Sequence, residues 1–381
     1  MQNRAGQYIK QLSGEAQYNA FSPTPLQKVE LSDMDSDFQA LLAKTNRLIG
    51  KIDGVVSGIP DIDLFISMYI RKEALLSSQI EGTQATLDDI LDPEAEENQN
   101  INVSEVLNYI KAADYAIERM NELPLCLRLL KEAHEILMTG IRGGEKNPGE
   151  FRRSQNWIGA GGSTLKTASY IPPAVDDMNA ALSQLEKYIN QDAPHPDVLI
   201  RAALIHYQFE TIHPFLDGNG RIGRLLIILY LIQKQALQKP VLYISYFLKL
   251  NRLDYYERLM LVRNKGNYEQ WVRFFIEALY QTANDALTAI EQLTALRSKN
   301  HIKITTLGRS AKTARQVYDY IEKYPIITLG KTSGELKLPF TTVSRAVDNL
   351  CRLGILQLTE NVKRNRCFAY EEYLEILRKD T

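Results

Sequence analysis

Residues 213–224 concentrate the residue types that bind phosphate groups and transfer protons. This segment reads HPFLDGNGRIGR and lies between two apolar helical runs, so we predict a short loop that ends at a helix N-terminus. Gly218 and Gly220 flank Asn219, which allows successive backbone N–H groups to face one concavity. The positive end of the following helix dipole lies behind them, and such a nest binds phosphate without any side chain.

The charged side chains of the same segment predict phosphate chemistry. Arg221 and Arg224 are three residues apart, hence on one helix face, and both can reach the outer phosphates of a nucleotide. Asp217 supplies a hard carboxylate, which suits Mg²⁺ held by one protein oxygen and phosphate oxygens. His213 supplies a base that titrates near neutral pH.

The segment resembles the signature of the Fic family, HxFx(D/E)GNGRxxR, and fills every specified position. The similarity extends over about residues 127–232. It implies a protein adenylyltransferase, in which His213 deprotonates a Ser, Thr or Tyr hydroxyl of a target protein. That hydroxyl would attack the α-phosphate of ATP, while Asp217 holds Mg²⁺ between the α- and β-phosphates. UMP transfer is not excluded by the motif.

The same resemblance assigns the remaining ligand contacts. The backbone of Gly218 and Gly220, with Asn219, would cradle the anion, and Arg221 and Arg224 would neutralise the leaving pyrophosphate. Tyr255 and Tyr256 fall where relatives form the adenine and ribose pocket, and we assign Tyr256 as a candidate nucleotide contact. Two other ring-bearing residues of this region, Phe215 and His206, are interpreted as structural.

An upstream segment, SSQIEG at residues 77–82, matches the inhibitory pattern (S/T)xxxE(G/N) of the family. Glu81 lies at a predicted helix C-terminus, where the helix dipole disfavours an anion unless a cation is nearby. By resemblance that cation is Arg224, Ser77 completes the inhibitory motif, and the ion pair occupies the space of the ATP γ-phosphate. The alternatives are a solvated surface Glu81, or a Glu81 that helps water to remove AMP from a modified target.

The elements that must position these residues are predicted to be mainly α-helical. We expect a Fic-fold helical core with a small β-hairpin flap before residues 170–173, where an extended target segment would pair by strand addition. Residues 1–30 are expected to form an extended arm, and residues 88–97 a loop. We predict domains at residues 1–125, carrying the inhibitory helix, and at residues 126–298, the catalytic core.

Residues 303–381 are predicted to form a third domain, a winged helix, from an order of three helices and a two-stranded ribbon. This region has 14 Lys and Arg against 9 Asp and Glu. The third helix carries Thr342, Ser344, Arg345 and Asn349, and the turn at 360–365 carries Lys363 and Arg364. This pattern suits contact with DNA. A DNA-binding regulator with an inactive core is therefore the alternative functional class.

Bulk properties limit the remaining function classes. The 381 residues are 45% hydrophobic and 24% charged, which is typical of a soluble globular protein. The three cysteines are scattered, so neither a disulfide framework nor a zinc site is indicated. No signal peptide or membrane span is predicted, and the expected location is the cytoplasm. A homodimer is a further expectation from the resemblance.

Overall fold

The structure, a computed structural model, describes residues 3–32, 34–57, 62–93, 97, 100–192, 196–359 and 366–379. This part of the chain is mainly helical, which confirms the predicted fold class. Its helices, in chain order, are α1 (Ser36–Ser57), α2 (Ile62–Ile80), α3 (Leu87–Leu91), α4 (Ile101–Arg119), α5 (Leu127–Met138), α6 (Val175–Asn190), α7 (Val198–Ile212), α8 (Asn219–Gln233), α9 (Ser245–Leu250), α10 (Arg252–Lys265), α11 (Tyr268–Thr305), α12 (Ala311–Lys323), α13 (Leu329–Leu336), α14 (Phe340–Arg352) and α15 (Glu371–Arg378). The strands are β1 (Gly6–Gln11), β2 (Tyr18–Pro23), β3 (Ile326–Thr328), β4 (Gln357–Leu358) and β5 (Cys367–Ala369). Among the described residues, no helix combines the length and the apolar character needed to cross a bilayer.

Helices α7 and α8 form the centre of the core and connect through residues 213–218. Every residue of α7 from Leu199 to Ile212 is buried, and so is nearly all of α8. Apolar residues are distributed around both helices rather than along one stripe, which is typical of a helix enclosed by other helices. Helix α11 packs against α7, and Trp271 of α11 donates its indole N–H to the Ala203 carbonyl at 2.8 Å. Both ends of the 213–218 loop are therefore fixed to the most buried part of the molecule.

Helix α2 brings the upstream motif to this loop. It packs against α4, α8 and α9, and its last residue is Ile80. Gly82 has φ of 98°, a left-handed conformation that ends the helix without the steric cost of a Cβ. This end point agrees with the position that the sequence indicated. The C-terminal end of α2 thus lies over the first turn of α8.

The N-terminal residues form a β-hairpin, so the prediction of an extended arm is wrong. Strands β1 and β2 pair antiparallel, with Tyr8 opposite Phe21. The Phe21 ring is fully buried, and its backbone N–H donates to the Ile171 carbonyl at 3.0 Å. The polar composition of β1 leaves little alternation between apolar and polar residues, and for this reason the pattern did not indicate strands.

Two further elements differ from the expectation. The flap contains a single antiparallel bridge, between Ile158 and Tyr170, in place of an extended hairpin ladder. The acidic stretch expected to be a loop begins with the short helix α3. A capping box starts this helix, since the Thr86 hydroxyl accepts from the Asp89 N–H and the Asp89 carboxylate accepts from the Thr86 N–H. This Thr-x-x-Asp spacing was a readable start signal.

The C-terminal region combines α12, α13 and α14 with a three-stranded antiparallel sheet in the order β3-β5-β4. Strand β3 was not predicted, and the turn at residues 360–365 lies outside the described residues. Helix α11 is continuous through residues 298–303, where the sequence suggested a domain boundary. Asn300 of this helix donates to the Tyr370 hydroxyl at 2.6 Å, so α11 belongs to both packing units.

Candidate functional site

The backbone of residues 213–218 is shaped by Asn219, the first residue of α8. Its side-chain Oδ1 accepts from the Phe215 N–H, and its Nδ2 donates to the Phe215 carbonyl, both at 2.8 Å. Gly218 precedes it with φ of 73°, which is accessible to glycine at little cost. The amide of Asn219 is therefore committed to the loop itself. The backbone N–H groups of the first α8 turn, which have no partner within the helix, are thus the part of the loop that can face a ligand.

A histidine outside the motif supports the loop from below. The ring of His134 stacks on Phe215, with centroids 3.7 Å apart and planes 4° apart. Its Nδ1 accepts from the Gly149 N–H at 2.9 Å, so the proton lies on Nε2, which donates to the Asp217 carbonyl at 3.0 Å. Burial lowers the pKa of His134 to about 4, which keeps the ring neutral. No sequence pattern indicated this residue, because its partners are distant along the chain.

Two side chains from the flap region hold the loop carbonyls. Arg152 Nε donates to the His213 carbonyl at 3.1 Å, and Arg152 Nη2 donates to the Pro173 carbonyl at 2.6 Å. The Asn156 side chain donates to the carbonyls of both His213 and Phe215. These bonds support a left-handed backbone at His213, whose φ is 50° and which would be strained without them.

His213 lines a cleft of about 370 Å³ that opens above the loop. The cleft is bounded by Glu81, Glu105, Arg142, His213, Leu216, Asp217, Gly218, Asn219, Gly220 and Arg221. The His213 side chain is 19% exposed, whereas its Nδ1 atom is buried. Burial, together with the charges of Arg263 and Arg152, lowers the pKa of His213 well below its usual range. The imidazole is therefore neutral at physiological pH, as a general base must be.

Asp217 is partly exposed toward the cleft and bonds to Lys146. Its Oδ1 accepts from the Gly218 N–H at 2.7 Å, and its Oδ2 lies 2.8 Å from Lys146 Nζ. Burial opposes ionisation, but Lys146 and the Gly218 N–H outweigh this effect and hold the pKa of Asp217 below its ordinary value. Within the described residues no cluster of three metal-ligating side chains exists. A single accessible carboxylate fits Mg²⁺ that receives its other ligands from phosphate and water.

Arg221 presents unpaired donors beside the cleft. Arg221 is 5% exposed, and in the described part of the chain neither Nε nor Nη1 has a hydrogen-bond partner. Nη2 has only the weak acceptor Met138 Sδ, at 3.4 Å. Buried N–H groups without an acceptor are costly. An anion bound over the first turn of α8 would remove this cost.

Arg224 is paired with the end of α2. This side chain is 1% exposed, and its Nη2 lies 2.8 Å from Glu81 Oε1. Its Nε donates to the Ser77 hydroxyl at 2.8 Å and its Nη2 to the Ser77 carbonyl at 2.9 Å. Burial opposes the charge on Arg224, but Glu81 outweighs it and raises the pKa further above its ordinary value. A Cβ on Gly220 would collide with Glu81 Oε1, which shows how closely this carboxylate covers the helix start.

The two adjacent tyrosines of α10 have different environments. Tyr255 is buried and its hydroxyl lies 2.8 Å from His206 Nε2 in the core, which also gives His206 the structural position expected for it. Tyr256 is 38% exposed and within electrostatic range of both Glu81 and Arg224. It therefore lies at the side of the site. The Arg263 guanidinium donates hydrogen bonds to the Glu210 carbonyl and to the Thr211 hydroxyl at the end of α7.

The structure thus brings together the residues that the sequence singled out. The loop residues and Glu81 line one cleft, Arg224 and Ser77 lie directly behind it, and Tyr256 lies at its side. Lys146 and His134 join this group without having been predicted. The arrangement combines a neutral base, a hard carboxylate and unsatisfied cationic donors at a helix N-terminus.

Comparison with known sequences gives matches to two family models. Residues 39–118 match the Fic/DOC family N-terminal region, and residues 124–231 match the Fic/DOC family. Protein adenylyltransferase Fic of Culex quinquefasciatus is 31% identical over 201 residues, which cover 52% of this chain and 35% of the relative. The protein of the same name from Aedes aegypti is 30% identical over 204 residues, or 52% of this chain and 36% of the relative. The match spans about a third of the length of these relatives.

Solved structures give matches to the fold. A Fic family protein from Desulfovibrio desulfuricans has a TM-score of 0.57 and 19% identity, and the match covers 89% of this chain and 97% of that chain. Fic-1 from C. elegans has a TM-score of 0.51 and 18% identity, with 67% of this chain and 73% of that chain covered. At this level of identity, the likeness concerns the fold alone.

Proposed function

Because the chain belongs to the Fic/DOC family, we propose that it is a protein adenylyltransferase, which transfers AMP from ATP to a hydroxyl of a target protein. The relatives named protein adenylyltransferase, whose match covers about half of this chain, support this activity. The observation that carries the proposal is the presence, in one cleft, of a neutral His213 and an Arg221 with unpaired donors. The first accepts a proton and the second binds phosphate.

The reaction would proceed as an in-line displacement at the α-phosphate. His213 takes the proton of a Ser, Thr or Tyr hydroxyl, the hydroxyl oxygen forms a bond to the α-phosphorus, and the bond to the bridging β-oxygen breaks. Pyrophosphate leaves with the electron pair of that bond. The first-turn N–H groups of α8 and the guanidinium of Arg221 stabilise the phosphate charge that increases on the leaving group.

Asp217 would hold Mg²⁺, which when bound neutralises charge on the phosphate oxygens. The carboxylate oxygen available for the cation, Oδ2, is the one that bonds Lys146. The ammonium group of Lys146 therefore competes with the metal for the same atom. ATP binding would draw the two cations apart, since phosphate oxygens offer acceptors to both.

Lys146→Ala is expected to lower the Mg²⁺ concentration that gives half-maximal transfer by several-fold, because the competing cation is removed. The direct measurement is Mn²⁺ binding in the presence of ATP, followed by electron paramagnetic resonance. Lys166→Ala, a flap lysine whose side chain bonds nothing in the described residues, is the matched control. Equal metal affinity of the two variants would contradict competition at Asp217.

We further propose that Glu81 restrains the enzyme through Arg224. Glu81 pairs with the Arg224 guanidinium, which would otherwise bind the γ-phosphate. The Glu81 carboxylate also covers the start of α8 at Gly220. ATP bound beside this carboxylate would carry its phosphates in a pose unsuitable for attack. The contacts to Ser77 support the pairing, because they fix the Arg224 side chain toward α2.

The identity of the transferred group is tested with labelled nucleotides and the Glu81→Gly chain. Label from the α-phosphate of ATP should enter protein, whereas label from the γ-phosphate should not. Incorporation of the γ-label would contradict AMP transfer and indicate a kinase. A parallel reaction with α-labelled UTP distinguishes AMP from UMP transfer.

Removal of AMP is a second candidate activity, supported by the exposure of Glu81. Its side chain is 38% exposed and lines the cleft together with His213, so its free oxygen could orient a water molecule. The test is release of AMP from a protein substrate modified beforehand. Release by the natural chain that is lost in Glu81→Gly would favour this activity.

For the C-terminal region we propose a winged helix that binds DNA. Support comes from the helix order, the three-stranded sheet and the excess of basic residues. Binding to random duplex DNA should weaken steeply between about 50 and 200 mM salt. Arg345→Ala should reduce this affinity, and no binding at low salt would contradict the proposal.

The cytoplasmic location and the homodimer stay predictions. Light scattering of the purified chain tests the homodimer.

A further inference from the structure

Glu210 lies one helical turn before His213, on the buried end of α7. Its Oε2 is 3.9 Å from His213 Nδ1, a distance for charge attraction rather than for a hydrogen bond. His213 Nδ1 and Glu210 Oε1 are both buried, and among the described residues neither has a partner at hydrogen-bond distance and angle. The carboxyl group thus places Oε2 near the unsatisfied Nδ1, while its other oxygen, Oε1, lies against Gly223 without a partner in the described residues. Such unsatisfied buried groups are rare in folded proteins, and each one requires an explanation.

The residues around this carboxyl group leave space for it. A Cβ on Gly223 of α8 would collide with Glu210 Oε1, so the glycine allows α8 to approach the side chain closely. The Glu210 backbone carbonyl accepts from Arg263 Nη2 at 3.0 Å, which fixes the end of α7. The carboxyl group is therefore held in place by its packing.

We propose that Glu210 is a positioning residue for His213, which fixes its tautomer and stabilises its protonated form during transfer. This inference deepens the proposed AMP transfer and rests on it. The groups that Glu210 offers to His213 are both acceptors, its carboxylate and its backbone carbonyl, so the neutral ring carries its proton on Nδ1. Nε2 is then left unprotonated for the target hydroxyl. When Nε2 accepts that proton, the imidazolium N–H at Nδ1 can shorten its contact with the carboxylate.

The charges around the pair decide which group titrates first. Burial raises the pKa of Glu210 to about 7, with Arg224 and Arg263 opposing this shift and Glu81 adding to it. His213 faces Arg263, Arg152 and Asp217 besides Glu210, and its pKa lies far lower. As pH falls through about 7, the proton therefore goes to Glu210. The carboxylate that supports the base is present above this pH and lost below it.

The test compares Glu210→Gln with Glu73→Gln, both in the Glu81→Gly chain. Glu73 is a matched control: it is also buried, its pKa is also raised to about 7 by burial, and it also senses Arg224, but it bonds Ser245 and not His213. Glu210→Gln should lower kcat about tenfold with little change in KM for ATP. The increase of kcat with pH near neutrality should disappear in this variant and persist in Glu73→Gln.

A second measurement does not depend on transfer or on nucleotide. Nitrogen-15 NMR of histidine-labelled, nucleotide-free Glu81→Gly protein should show the His213 proton on Nδ1, with His213→Gln identifying the signal. A proton on Nε2, or kcat and a pH profile unchanged by Glu210→Gln, would overturn the inference. Inactivity of the Glu81→Gly chain itself, with the Nδ1 tautomer present, would instead count against the proposed function and leave the pairing supported.

Discussion

Replacing Glu81 with glycine should raise the initial rate of AMP transfer at least tenfold. The substitution frees the Arg224 guanidinium, which is 1% exposed and otherwise bound to Glu81 and Ser77. It also uncovers the first turn of α8 at Gly220. A tenfold increase corresponds to about 1.4 kcal/mol, which suits a pair in which Arg224 is buried but Glu81 is 38% exposed. The measurement is incorporation of α-labelled AMP with a mixture of acceptor proteins.

The matched control is Gln79→Gly in the same turn of α2. Gln79 bonds the Ala85 carbonyl and Lys249 and does not contact Arg224. Loosening of the helix end by glycine would activate both variants alike, whereas a specific charge pair predicts activation of Glu81→Gly alone. Equal rates in Glu81→Gly and the natural chain would contradict the restraint.

Replacing His213 with alanine in the Glu81→Gly chain should lower transfer at least about a hundredfold, because general base catalysis contributes this much or more. The histidine lies on the cleft wall, and the phosphate contacts proposed above come from α8. Affinity for ATP should therefore stay within about threefold, as measured by isothermal titration calorimetry. A parallel loss of ATP binding and of thermal stability would indicate a structural role for His213 and contradict its role as the base.

The sequence was most informative where chemistry depends on local spacing. The loop between two apolar helices, the helix start at Asn219 and the helix end before Gly82 were all predicted from patterns over a dozen residues or fewer. The contact of Glu81 with Arg224 joins residues 143 positions apart, and it was anticipated by resemblance rather than by periodicity. No residue pattern alone places the end of α2 over α8.

The unpredicted features depend on tertiary contacts. His134 supports the loop through stacking on Phe215 and a bond to the Asp217 carbonyl, and neither contact has a signal in its own helix. Asn219 was expected to help bind the anion, yet its amide is used by the Phe215 backbone. A polar side chain at a helix start can hydrogen-bond either a ligand or the backbone of its own loop. Which of the two it bonds depends on the conformation of that loop.

The packing of the C-terminal region on the core also depends on tertiary contacts. The sequence pattern predicted one domain up to residue 298 and another from residue 303, and α11 continues as a regular helix through this stretch to Thr305. The spacing of apolar residues in α11 does not show which part packs on α7 and which part packs on the C-terminal helices. Both contacts use apolar residues at the same helical period. The ion pair of Arg297 with Glu322, at 3.3 Å, lies at this shared interface.

The most direct test of the central claim is intact-mass spectrometry of acceptor proteins and of the chain itself after incubation with ATP and Mg²⁺. The natural chain and the Glu81→Gly chain are compared at equal concentration. Adducts with the mass of AMP should be abundant with Glu81→Gly, sparse with the natural chain, and absent when His213→Ala is added to Glu81→Gly. Phosphate adducts, or no adducts from any of the three, would contradict AMP transfer restrained by Glu81.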